Sequence, residues 1–138
     1  MGKMRSRARR LTIVTMFVAL ALAGALAPAG AASSTQATSV SCDGVTIKTG
    51  ITVTHDPSGT FKIRQNSSSP KSSTKTWARS SNGNDLSVKT VGDNGTATWT
   101  GVLASNYTIK AFRSGSANCN GWWPGHGNYT WNYTVIHN

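Results

Sequence analysis

The chain has 138 residues, 14 Lys and Arg against 4 acidic residues, a formal net charge of +10, and only two cysteines. All four acids are Asp and there is no Glu. The length bounds a single core-forming domain, two cysteines exclude a disulfide-dense scaffold, and so few carboxylates leave little material for paired-acid catalysis.

Met1 to Arg10 carries five cations, Lys3, Arg5, Arg7, Arg9 and Arg10, and Leu11 to Leu26 is an apolar run too short for a comfortable membrane span. The run leads into Ala29-Gly30-Ala31, an A-x-A pattern, so residues 1–32 read as a secretory signal peptide cleaved after Ala31 or Ala32. The Ala- and Gly-rich character of this segment points to a bacterial exporter. Cleavage leaves nine cations against four Asp, a net of +5. The expected location is extracellular, with no membrane span after cleavage. Basicity of this size favours encounter with anionic surfaces such as cell-wall polymers but names no partner. In an exported chain two cysteines are most simply one disulfide, Cys42 to Cys119, closing a loop of 77 residues (119 − 42). Chain entropy gives such a closure a value of about 4 kcal/mol.

Ser33 to Ser39 is small and polar and is expected to be a flexible tail, which leaves 40–138 as one domain. Val45 to Ile47 and Ile51 to His55 read as strands, followed by a tight turn at Asp56-Pro57-Ser58-Gly59. Thr60 to Gln65 sends Phe61 and Ile63 to one side and Lys62 and Arg64 to the other, and Asn66 to Ser73 reads as a polar loop. Thr74 to Arg79 follows as a strand with Lys75, Trp77 and Arg79 on one face. Asn82-Gly83 and Asn94-Gly95 are type I′ hairpin signals, expected to hold both central residues at positive φ. They bracket a strand at Leu86 to Val91 and launch another at Thr96 to Thr100.

The segment Val102-Leu103-Ala104-Ser105-Asn106-Tyr107-Thr108-Ile109-Lys110-Ala111 resembles the turn and strand near the end of bacterial immunoglobulin-like and fibronectin-type-III-like sandwiches. The likeness extends over Thr96 to Ile136. It implies an immunoglobulin-like architecture in which Tyr107 closes a corner by bonding its hydroxyl to upstream backbone. The cysteines depart from the immunoglobulin pattern, falling in the first strand region and in a late loop. Independently of the likeness, seven or eight strands spaced about ten residues apart, with no helical period after Ser33, predict an all-β antiparallel sandwich.

The final strand carries Tyr129, Trp131, Tyr133 and Val135 on one parity and Thr130, Asn132, Thr134 and Ile136 on the other, the pattern of a half-buried, core-forming element. Asn118 to Gly127 before it is a Gly- and Pro-containing loop with Cys119, Trp122, Trp123 and His126. That loop is either a recognition surface with exposed aromatic anchors or a plug over the end of the sandwich. A second candidate is the face of Lys75, Trp77 and Arg79, with Lys62, Arg64, Lys89 and Lys110 also on outward parities; it is either a basic, aromatic-centred patch or an ordinary solvated sheet face.

All four Asp read as turn residues, and His55, His126 and His137 lack metal spacing and read as exposed turn or terminal residues. No nucleophile elbow or phosphate-binding Gly loop occurs. The expectation is therefore a non-enzyme with neither cofactor nor metal. The preferred reading is a secreted binding or assembly module recognising a protein partner within an exported toxin, inhibitor or surface complex. The alternative is a basic, antimicrobial module for anionic cell-wall polymer or glycan. Export disfavours nucleic acid.

Overall fold

The computed structural model describes residues 31–115, 119 and 127–138. These contain no helix and eight strands: β1 (Ala32–Ser41), β2 (Lys48–His55), β3 (Gly59–Ser69), β4 (Thr74–Ser80), β5 (Lys89–Val91), β6 (Thr96–Val102), β7 (Ser105–Arg113) and β8 (Asn128–His137). Two antiparallel four-stranded sheets result, ordered β1-β8-β3-β6 and β2-β7-β4-β5. The all-β sandwich expected from alternation and turn spacing is present. Its strand order is that of a jelly roll, a double-sheet Greek-key arrangement. An immunoglobulin sandwich keeps its first two strands side by side in one sheet, whereas here β1 lies beside β8 and β2 sits in the opposite sheet. Period-2 alternation fixes which residues face the core and is silent about which strand neighbours which.

The core lies between the sheets. β8 contributes Tyr129, Trp131, Tyr133 and Val135, all fully or almost fully buried, and Trp131 stacks on Tyr133 with ring centroids 4.0 Å apart. Burial of each such side chain contributes on the order of 2–3 kcal/mol. Two tyrosines also bridge the sheets: the Tyr129 hydroxyl shares a hydrogen bond with Thr74 Oγ1 at 2.8 Å, and the Tyr133 hydroxyl accepts from the Ile51 amide at 3.2 Å. The Tyr133 oxygen occupies the space where a Cβ of Gly50 would stand, so the glycine admits this contact. It sits where the β2 register shifts between Thr49 and Thr52.

Several local expectations are corrected. Ser33 to Ser39 is not a tail; it belongs to β1, which pairs with β8 from Ala32↔His137 to Ser41↔Asn128. A polar segment can do this because the ladder satisfies backbone groups and needs no apolar face. Val45 and Ile47 form no strand and are 77% and 53% exposed. Asp43 overrides their apolar character: its Oδ1 accepts from the amides of Val45 and Thr46 at 2.9 and 2.8 Å, a side-chain-capped turn. The first four residues of the expected loop 66–73 continue β3, and only Lys89–Val91 of the strand expected at Leu86 to Val91 is regular. Neither Asn-Gly pair is a type I′ turn, since only Gly83 (φ 87°) and Asn94 (φ 61°) of those four residues have positive φ. Gly95 is needed for a different reason. A Cβ there would meet the Gly92 carbonyl oxygen at 2.9 Å, the same oxygen that accepts from the Gly95 amide at 2.8 Å.

The disulfide pairs Cys42 with Cys119, with Cα atoms 6.1 Å apart. It anchors the chain immediately after β1, where the Cys42 amide also donates to the Gly127 carbonyl at 3.0 Å.

Candidate binding face

Trp122, Trp123 and His126 lie outside the described residues, as does the segment 1–30 read as the body of the signal peptide. The second candidate is fully described. Lys75, Trp77 and Arg79 occupy the outward parity of β4, and register brings β7 alongside: Lys75 is opposite Phe112, Trp77 opposite Lys110 and Arg79 opposite Thr108. Directly opposed residues of an antiparallel pair share a face. Lys75, Arg79 and Lys110 therefore surround Trp77 on the outside of the β2-β7-β4-β5 sheet.

Trp77 is only 8% exposed although it lies outside the core cluster. Its ring meets Phe112 edge-on at 5.7 Å, and Lys75 Nζ sits 5.6 Å from the Phe112 ring centre. The aromatic pair thus works as a hydrophobic floor on which the Lys75 side chain lies. It is not a free stacking platform. Lys110 Nζ donates to Thr49 Oγ1 at 2.7 Å, which extends the face onto β2, where Thr52 and Thr108 share a hydrogen bond at 2.8 Å. Arg79 Nε pairs with Asp85 Oδ2 at 3.2 Å across an exposed contact, of a kind that contributes at most about 1 kcal/mol.

The other outward cations of the sequence do not join this face. Lys62 and Arg64 stand on β3 in the opposite sheet. Lys89 is opposite Thr76, on the interior parity; its ammonium donates to the Thr98 carbonyl and lies 5.3 Å from the Trp99 ring centre. A short edge strand turns that lysine toward the facing sheet rather than to solvent.

Three of the four carboxylates are committed to structural hydrogen bonds. Asp43 holds the 43–46 turn, and the side-chain and backbone donors of Thr46 lower its pKa to about 2. Asp85 accepts from the Ser80 amide at 2.9 Å. Asp93 accepts from Gln65 Nε2 at 2.7 Å and from the Ser68 hydroxyl at 3.0 Å. The turn reading therefore fits the carboxylates of Asp43 and Asp85, whereas that of Asp93 is spent on two β3 side chains. Among the described residues no group of three or more His, Cys, Asp or Glu is placed to hold a metal ion, and no helix is long and apolar enough to cross a membrane.

The histidines differ from expectation. His55 is fully buried and His137 nearly so, with ring centres 6.2 Å apart. His55 Nε2 lies 3.3 Å from the Val102 carbonyl, and Nδ1 accepts from the Asn138 amide at 3.3 Å. A carbonyl can only accept, so the proton of the neutral ring is on Nε2. Burial holds the His55 pKa below its ordinary value. The signal was available in parity: His55 follows Val53 by two and His137 follows Val135 by two, each on the inward side of its strand.

An open groove of about 300 Å³ runs between residues 84–87 and the β6–β7 turn, lined by Leu86, Trp99 and Leu103 among others. Its one carboxylate, Asp85, is already engaged by Arg79. Fold and face together define a jelly-roll sandwich whose β2-β7-β4-β5 sheet carries a basic outer face around Trp77. No protein-family model matches the chain, and no curated protein matches it.

Proposed function

We propose that this chain is an exported, non-catalytic binding module whose outer β2-β7-β4-β5 face attaches to an anionic cell-wall polymer or glycan. The observation that carries the reading is the convergence of Lys75, Arg79 and Lys110 from neighbouring strands around the Trp77–Phe112 floor, with Asp85 the one carboxylate paired there. Lys75 and Arg79 stand four residues apart on one strand, roughly 13 Å, so the cations present a line of charge suited to a repeating anion. Packing and hydrogen bonds restrict Lys75 and Lys110 before any ligand arrives, which lowers the ordering cost of binding. Commitment of the Asp43, Asp85 and Asp93 carboxylates to structural hydrogen bonds supports binding over hydrolysis. Export rests on the sequence of residues 1–32 and agrees with the disulfide.

The test is pelleting of the mature, oxidised protein with purified anionic cell wall across a salt series. Binding that weakens as salt rises, and falls at least tenfold when Lys75, Arg79 and Lys110 are changed to Gln, supports the reading. Retention that ignores salt, or survives the triple change, assigns recognition to another surface, including the protein-partner reading of the Trp122–Trp123 loop.

A further inference from the structure

We propose that β1 is a docking edge for a second copy of this chain, pairing antiparallel with its own counterpart about a two-fold axis at Ala37. A comparison of the four edge strands carries the inference. β2 has Lys48 at its start and an irregular register between Thr49 and Thr52. β5 is three residues long. On β6 the Thr98 carbonyl is occupied by the Lys89 ammonium. Charge, bulging, brevity and coverage are the devices by which sheet edges avoid pairing with other chains. Among the described residues, β1 shows none of them. Its ten residues, Ala32–Ser41, contain no charge and no proline, run against β8 without a register shift, and are exposed at Ser33, Thr35, Gln36, Ala37 and Ser39.

Charge selects the occupant. The cations of this sheet, Lys62 and Arg64, stand on β3, two strands from the edge, or roughly 10 Å at ordinary strand spacing. Two bodies that each carry +5 in side-chain charge after signal cleavage thus meet along a border without charged side chains, the new α-amino groups lying at the two ends of the seam. A two-fold operation makes the pairing antiparallel and self-complementary. Centred on Ala37, it sets Ser33 opposite Ser41 and Thr35 opposite Ser39, small side chains that leave the seam unobstructed. Cleavage after Ala31 or Ala32 leaves this strand in the mature chain. The axis of such a pair is perpendicular to the sheet, so the two Lys75–Arg79–Lys110 faces look in the same direction. On an extended polyanion that arrangement supplies two attachments in place of one. A seam of one strand is smaller than a standard permanent interface, so association is concentration-dependent.

Sedimentation equilibrium of the mature, oxidised protein from micromolar to millimolar concentration tests this without any ligand, so its outcome is separate from that of the polymer reading. The expected result is a monomer–dimer equilibrium that Ala37→Lys abolishes, by placing two ammonium groups opposite each other, while Ala37→Thr preserves it. Melting temperature verifies that both variants are folded. A wild-type protein that stays monomeric throughout, or an Ala37→Lys variant that dimerises like wild type, overturns the proposal.

Discussion

The Tyr107 hydroxyl donates to the Leu103 carbonyl at 2.9 Å and closes the turn between β6 and β7 onto the core. The ring itself is fully buried and packs 5.3 Å from Phe61. Tyr107→Phe keeps that packing and removes one hydrogen bond, so the expected loss of stability is about 1 kcal/mol. Tyr107→Ala also removes the ring and is expected to cost about 3–5 kcal/mol. Denaturant titration of both variants checks the ratio; equal losses would show that the hydroxyl, not the ring, dominates.

The Cys42–Cys119 bond closes a 77-residue loop. Replacing both cysteines with Ser is expected to remove about 4 kcal/mol, a large part of the stability of a domain this size. Thermal melts with and without reductant should separate by many degrees for the native chain and coincide for the double variant.

Gly50→Ala places a methyl group where the Tyr133 hydroxyl now stands. The ring is stacked on Trp131 and its oxygen accepts from Ile51, so it cannot turn aside. Overpacking of this kind costs about 1–3 kcal/mol. Adding Tyr133→Phe should recover part of the loss by removing the clashing oxygen, and a double variant no more stable than Gly50→Ala would contradict the contact.

The pH dependence follows from His55. Burial, opposed by its bond to Val102 and by Asp56 and reinforced by His137, lowers its pKa, so the unfolded state binds this proton first as pH falls. Stability from this site is complete above the ordinary histidine value, near 6.5, and is lost progressively below it. Protonation also converts Nδ1 from acceptor to donor, breaking the bond from Asn138. Melting temperature should fall between pH 7 and pH 5, and NMR titration should place the His55 midpoint below 6.5; a midpoint above that value would refute the assignment.

Alternation made the inward residues of β3 and β8 legible, because one buried face forces period 2. The Tyr107 corner was expected only through the family resemblance; its acceptor, the Leu103 carbonyl, lies four residues upstream. β1 was not legible, since a polar strand is stabilised by backbone ladder bonds that leave no mark in side-chain hydropathy. Val45 and Ile47 misled in the opposite sense, being apolar residues exposed by the Asp43 turn. Within the candidate site, Lys75, Trp77 and Arg79 were correctly placed on one face, but their neighbours depended on topology. Register supplied Lys110 and Phe112 and sent Lys62, Arg64 and Lys89 elsewhere.

Recognition that belongs to one face, rather than to net charge, separates charge-matched variants. Two charge-matched double variants, each losing two cations, are compared: Lys75→Gln with Lys110→Gln on the proposed face, and Lys62→Gln with Arg64→Gln on the opposite sheet. Affinity for soluble anionic cell-wall polymer is measured for both at one ionic strength. At least a tenfold loss is expected for the first and less than a twofold change for the second. Equal losses in the two variants would contradict recognition by this one face.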